Sequence, residues 1–196
     1  MLTKYIVPYL YNLAPRKAME AGMSITSSPQ RYGAVAAAIH WVTALAVLLM
    51  LASGQVMDMQ PDAAGAILPF HVVTGMLIGV LTLFRILWWL AFDRQPAPQP
   101  GMPVWQERLA RLVHWGLYAA LLVLFASGMA MLVLLDALGP IFSGGVLPQF
   151  AQTPARLAHG LVGRLLLLLA ALHIGAALWH QFIRRDHLLA RMGLGR

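Results

Sequence analysis

The chain contains 196 residues, of which 60% are hydrophobic and only 11% charged, and its net charge at pH 7 is +7. This balance is typical of a protein that crosses a membrane several times, and it excludes an ordinary soluble domain. The absence of cysteine excludes disulfides, thiolate-bound zinc, iron–sulfur clusters and covalently attached c-type haem.

Residues 1–30 form an N-terminal extension ahead of the first apolar stretch. Pro8, Pro15 and Pro29 interrupt this extension, and it lacks an apolar core of signal-peptide length, so we expect no cleaved signal. Met23 is an alternative start, because the residues after it lead directly into the first apolar stretch.

Four stretches are long and apolar enough to cross a hydrocarbon core about 30 Å thick. The first and third, Gly33 to Met57 and Leu112 to Leu135, carry no charged residue, whereas Arg85 interrupts the second and Arg164 the fourth. We therefore predict an all-α membrane protein, a four-helix transmembrane bundle made by one domain at about 31–192, with no internal repeat. The helices are predicted at about 33–57, 66–92, 109–136 and 156–184.

Basic residues concentrate before the first helix, between the second and third, and after the fourth. They are Lys4, Arg16, Lys17, Arg31, Arg94, Arg108, Arg111, Arg184, Arg185, Arg191 and Arg196. The two other loops carry Arg156 as their basic residue. This bias predicts a multi-pass protein of the bacterial inner membrane with both termini in the cytoplasm. Topology and contact with membrane lipids then account for the positive charge, and we expect no nucleic acid partner.

Four histidines fall at two matching depths. His40 and His173 lie about 13 and 16 Å from the nearest cytoplasmic arginine, at 1.5 Å of helix per residue. His71 and His159 stand at the outer ends of the second and fourth helices. On the fourth helix His159 and His173 are fourteen residues apart, so both face nearly the same way at about 21 Å separation. Because histidine is a common axial ligand of haem iron, we predict two pairs, His40 with His173 inside and His71 with His159 outside.

Two further histidines are predicted to be shallow, at the inner interface. His114 follows Arg111 by three residues, only about 4.5 Å into the membrane, and His180 precedes Arg184 by four. This depth argues against His114 as a partner of His173. Both side chains are candidates for contacts with haem propionates or a quinone head group.

Two arginines inside the spans receive different interpretations. Arg85 lies fourteen residues after His71 and near the depth of His40, so it is a candidate partner for a haem propionate. The alternative is that its side chain extends to the cytoplasmic surface. Arg164 is five residues after His159, about 140° around the helix, and is predicted to point away from the haem.

Small residues accompany the histidines. Gly75 and Gly79 follow His71 at spacings of four, which is expected to leave room for a flat macrocycle. The same rows also let bare helices pack closely. A haem-free membrane protein, whose histidines join helices or bind a metal ion, is therefore the alternative from another class.

The motifs together resemble the prokaryotic cytochrome b561 family. They are I-H-W at Ile39 to Trp41, H-x-x-x-G at His71 to Gly75, H-W-x-L-Y at His114 to Tyr118, and L-H-I-G-A-A-L-W-H at Leu172 to His180. The resemblance covers about Gln30 to Met192. It implies a bundle enclosing two b-type haems, with His40, His71, His159 and His173 as the axial ligands.

The resemblance also implies a function. One branch of the family acts as superoxide oxidase, an enzyme that takes electrons from superoxide at the outer face and passes them to ubiquinone. Histidine at both axial positions leaves no open iron site, so superoxide would react at an exposed haem edge that attracts anions. Arg156 is the candidate for steering superoxide there, against Asp58, Asp62 and Asp136 in the same loops. The alternative is a quinone-linked electron carrier, or the cytochrome b subunit of a larger respiratory complex with a redox protein partner.

Overall fold

The computed structural model describes residues 24–194 and contains four long helices. Each is long and apolar enough to cross a membrane, so the predicted four-helix transmembrane bundle is confirmed. The third helix begins at Val104, five residues earlier than predicted, and the alternative start at Met23 lies outside the described residues. The helices are α1 (Ala34–Met59), α2 (Ala64–Ala91), α3 (Val104–Leu134) and α4 (Pro154–Trp179).

The centre of the bundle is a layer of buried apolar side chains from all four helices. They are Ala46 and Val47 of α1, Ile78 of α2, Ala120 of α3 and Leu166 of α4. Large apolar side chains cover the outside instead, and Leu90, for example, is 79% exposed. An apolar exterior around a thin core is what a lipid environment requires, since lipid tails are as apolar as leucine.

The two ends of the bundle are closed differently. At one end a short helix, Leu138–Ser143, follows α3 and buries Ala137 and Ile141 against Leu132. At the other end α4 continues as one π-helical turn, His180–Arg184, and the chain returns so that Met192 accepts a hydrogen bond from Trp41.

Although no internal repeat was predicted, short motifs recur between α1 and α3 and between α2 and α4. His40-Trp41 and Ala52-Ser53-Gly54 of α1 recur on α3 as His114-Trp115 and Ala126-Ser127-Gly128, each 74 residues later. His71 and Gly75 of α2 recur on α4 as His159 and Gly163, each 88 residues later. At that second spacing Arg85 matches His173, so the two helix pairs differ at the end of the bundle opposite the short helix.

Asp93, just after α2, connects three segments at that opposite end. Its carboxylate accepts hydrogen bonds from the backbone N–H and the hydroxyl of Ser27, at 2.9 and 2.8 Å, and from the Trp88 indole at 3.2 Å. Burial alone would raise the pKa of this carboxyl, but the hydrogen bonds from Ser27, Arg94 and Trp88 outweigh burial and lower the pKa. The ionised carboxylate therefore stabilises the fold.

Replacing Asp93 with Asn is expected to lower the melting temperature at pH 7 by about 2–4 °C, the shift that 1 kcal/mol produces in a chain of this size. Because folding lowers the pKa, the contribution is complete above the unfolded value near 4 and is lost as pH falls through the folded value. The wild-type advantage in thermal unfolding should therefore shrink toward pH 3. The control is Asp62→Asn, which removes an exposed carboxylate from the α1–α2 turn. An advantage that does not change with pH would contradict this assignment.

Candidate functional site

His71 of α2 and His159 of α4 face each other at the end of the bundle near the short helix. Their ring centroids are 6.2 Å apart. Two imidazoles on opposite sides of one metal ion, each bonded at about 2 Å, have centroids about 6 Å apart. The two rings are therefore spaced as a bis-histidine pair requires.

Each of these imidazoles contacts a serine from a neighbouring helix. Ser53 Oγ lies 2.8 Å from His71 Nδ1, and Ser127 Oγ lies 3.0 Å from His159 Nδ1. The sequence-based analysis missed both serines, although the repeated Ala-Ser-Gly triplet was the signal that could have found them.

A cavity of about 380 Å³ surrounds this pair and is lined by all four helices. Its size is within the range of small-molecule and cofactor pockets. Gly75 and Gly163, which carry no side chain, form part of its wall. Gly79 does not line the cavity, because a Cβ atom there would overlap the Phe125 ring. Of the two interpretations of this glycine, the structure supports close packing of α2 against α3.

The charged side chains of the cavity wall are Arg156, Arg164 and Asp58. Arg156 forms an ion pair of 3.2 Å with Asp58. Arg164, which was predicted to point away from the haem, also belongs to the wall of this cavity and is an exposed residue.

His40 of α1 and His173 of α4 approach each other nearer the other end of the bundle, with ring centroids 6.1 Å apart. His114 of α3 lies closer still to His173, at 5.1 Å. The prediction that His114 is much shallower than His173 was wrong, because α3 begins at Val104 and Arg111 already lies within the helix. The His114 side chain is exposed, whereas those of His40 and His173 are half-buried.

Arg85 of α2 completes this second group. Its Nη1 lies 3.2 Å from His40 Nδ1, and its guanidinium carbon lies 5.6 Å from the centre of the Tyr118 ring. The Arg85 Nε atom is buried without a hydrogen-bond partner among the described residues. Since arginine only donates, His40 Nδ1 accepts and the ring proton is on Nε2. An acidic group placed here would satisfy Nε and draw the guanidinium off His40, which would free that ring to coordinate a metal.

His180 is buried in the π-helical turn that follows α4. Its Nδ1 is 2.5 Å from Asp186 Oδ2, and the second Asp186 oxygen is buried without a partner among the described residues. The backbone at Arg185 and His187 has positive φ, 55° and 54°, so this turn holds a conformation that side chains disfavour. Next to it lies a second cavity of about 320 Å³, with Asp186, His187 and Arg191 in its wall.

The pairing of the histidines bears on the kind of metal they could hold. Within residues 24–194, no group of three or more His, Cys, Asp or Glu side chains could hold a metal ion. A porphyrin supplies four nitrogen ligands itself, so two histidines suffice to complete the coordination of its iron. The ring spacing of the His40–His173 and His71–His159 pairs fits a porphyrin-bound iron.

Comparisons with known proteins agree with this geometry. The family model for prokaryotic cytochrome b561 matches residues 31–195. The chain is 31% identical over 186 residues to cytochrome b561 homolog 2 of Escherichia coli, covering 87% of this chain and 95% of that protein. It is 28% identical over 171 residues to the probable superoxide oxidase CybB of Yersinia pestis, covering 83% and 96%. It is 31% identical over 162 residues to cytochrome b562 of Cereibacter sphaeroides, covering 79% and 89%.

Proposed function

Since this chain belongs to the prokaryotic cytochrome b561 family, whose members carry electrons in membranes, we propose that it moves electrons from superoxide to ubiquinone through two b-type haems. The observation that carries this proposal is the two pairs of facing imidazoles at two levels of one apolar bundle, 6.1 and 6.2 Å apart. Because the two α4 histidines are about 21 Å apart along that helix, the pairs would serve opposite halves of the membrane.

In this proposal His71 and His159 bind the outer haem, and His40 and His173 bind the inner one. Each haem, when bound, supplies an iron that takes up and releases single electrons. Arg85 moves from His40 Nδ1 to a haem propionate, because a carboxylate pairs with guanidinium more strongly than a neutral ring nitrogen does. His114 remains beside His173 as a neighbour and not as a ligand.

Both termini are proposed to be cytoplasmic. The contacts of the described residues support this, since they bring the basic segments to one end of the bundle. Arg191 donates hydrogen bonds to the carbonyl oxygens of Pro29 and Ala97, and Gln99 donates to that of Asp186. The positive-inside rule assigns such an end to the cytoplasm.

Superoxide is proposed to react at the cavity beside His71 and His159. The outer loops carry three aspartates and one arginine, so their net charge repels an anion. The cavity wall has a different balance of charges. Asp58 is paired with Arg156, which leaves the charge of Arg164 to attract superoxide. A positive wall in an apolar cleft raises the encounter rate with an anion.

Ubiquinone is proposed to react at the opposite end, near His180. The Asp186 carboxylate accepts a hydrogen bond from Nδ1–H of His180, which leaves Nε2 available for a quinone oxygen. Reducing a quinone to a quinol consumes protons, and this buried His–Asp pair is placed to transfer one of them.

The test is the visible spectrum of the purified, oxidised protein during a steady enzymatic supply of superoxide. We expect reduction of a b-type haem that superoxide dismutase abolishes and added ubiquinone reverses. Arg164→Gln should slow this reduction about ten-fold at low ionic strength and much less at high salt. Arg111→Gln, which removes a charge paired with Glu107 near the start of α3, is the control and should not change the rate.

The opposite result would identify a different donor. If the haem stays oxidised under superoxide but is reduced by quinol, the chain is a quinone-linked carrier or a subunit of a larger complex. If no b-type spectrum forms on reconstitution with haem, the electron-transfer proposal itself is overturned.

A further inference from the structure

Ser53 of α1 and Ser127 of α3 form matching contacts at the outer histidine pair. Both are only 8% exposed. Each reaches across to the next helix in the chain, Ser53 to His71 at 2.8 Å and Ser127 to His159 at 3.0 Å. In both contacts the ring atom is Nδ1, so Nε2 faces away from the serine.

The direction of these hydrogen bonds follows from the single proton that a hydroxyl carries. Ser53 Oγ donates to the carbonyl oxygen of Met50 at 2.9 Å, and Ser127 Oγ donates to that of Val123 at 2.7 Å. A hydroxyl that donates its one proton to a carbonyl oxygen can only accept a hydrogen bond from the imidazole. The carbonyl contact and the imidazole contact of each hydroxyl are satisfied together when Nδ1 carries the ring proton in His71 and His159, which leaves the lone pair on Nε2.

The glycine that follows each serine lies beside the same ring. A Cβ atom on Gly54 would lie 3.8 Å from His71 Cε1, and one on Gly128 would lie 3.6 Å from His159 Cε1. Each Ser-Gly dipeptide thus brings both a hydroxyl and the helix backbone next to the imidazole. This arrangement occurs on both α1 and α3, at the repeat spacing of 74 residues.

We propose that Ser53 and Ser127 are positioning residues that hold His71 and His159 in the tautomer and orientation needed to bind one haem iron through Nε2. This inference rests on the proposed function, which makes these histidines the outer ligands. A hydrogen bond from Nδ1–H also makes the imidazole a stronger donor to the metal, so the serines stabilise the ferric state. Among residues 24–194 the inner pair has no equivalent serine contact, and Arg85 donates to His40 Nδ1 instead.

The test compares Ser53→Ala, Ser127→Ala and the double variant in the full-length protein, reconstituted with haem b. We expect the outer haem to bind about ten-fold or more weakly in the double variant, because loss of such partners typically costs this much. Its midpoint potential should rise, by about 59 mV if the ten-fold loss falls on the ferric form alone. The inner haem should keep its potential.

A matched control separates positioning from general destabilisation. Thr82 of α2 is also a buried hydroxyl that donates to a carbonyl within its own helix, Ile78 at 2.7 Å, but it contacts no imidazole. Thr82→Val should therefore leave both potentials unchanged.

Failure of this inference is distinct from failure of the proposed function. If His71→Ala removes the outer haem while both serine variants keep its affinity and potential, the serine role is overturned and the ligand assignment stands. If His71→Ala keeps both haems, the ligand assignment itself is wrong. A shift of the inner potential that equals the outer one would also overturn the serine role.

Discussion

Replacing His159 with alanine is expected to remove the outer haem and leave the inner one bound, with loss of about half of the haem content. The variant leaves His71 as the remaining ligand of that pair, whose ring centroid is 6.2 Å from that of His159 in the intact protein. His40 and His173 keep their positions, because His173 lies about 21 Å further along the same helix. The haem-to-protein ratio and a redox titration of the purified variant check this result.

A suitable control for this variant is His187→Ala. His187 is in the segment that follows the π-helical turn, at the far end of the bundle from His159. Both haems should remain in the control. Retention of both haems in His159→Ala would contradict the pairing of His71 with His159.

Replacing His40 with alanine is expected to have the opposite effect, with loss of the inner haem and retention of the outer one. The comparison with His114→Ala decides between two neighbours of His173. The His114 ring lies 5.1 Å from His173, closer than the roughly 6 Å that an iron between two imidazoles produces, whereas His40 lies at 6.1 Å. His114 is also exposed.

His114→Ala should therefore keep both haems and show only a small change in the inner potential. The measurement is the haem-to-protein ratio of the two variants, together with their electron paramagnetic resonance spectra, which distinguish the two haems. If His114→Ala loses the inner haem and His40→Ala retains it, the inner pair is His114 with His173. In that case the ligand would be His114 of α3, which lies 74 residues after His40 of α1.

The predicted depth of His114 was wrong for a physical reason. The depth of His114 was measured from Arg111, on the assumption that a charged residue marks the membrane surface. The helix instead begins at Val104, and Arg111 pairs with Glu107 on the helix surface.

The contacts of Ser53 and Ser127 with imidazoles of neighbouring helices could not be predicted from the local sequence. A serine inside an apolar helix usually donates a hydrogen bond to a carbonyl oxygen of the preceding turn. The local sequence does not show whether the same hydroxyl also contacts a neighbouring helix. Ser53 and Thr82 both form the local bond, but only Ser53 also lies against an imidazole. The repeated His-Trp and Ser-Gly motifs do carry the signal, because residues at equivalent positions of two related helix pairs meet equivalent neighbours.

By itself, the sequence determined the four spans, because about 20 consecutive apolar residues form a helix long enough to cross the hydrocarbon core. It also determined that His159 and His173 share a face of α4, since the helical period links residues of one helix without reference to any other. Only the tertiary structure decided which side chains of different helices meet. It brought Ser53 to His71, Phe125 to Gly79 and Arg85 to His40. Those contacts depend on the rotation of each helix about its axis and on its position along its neighbours. The period of a single helix specifies neither of these.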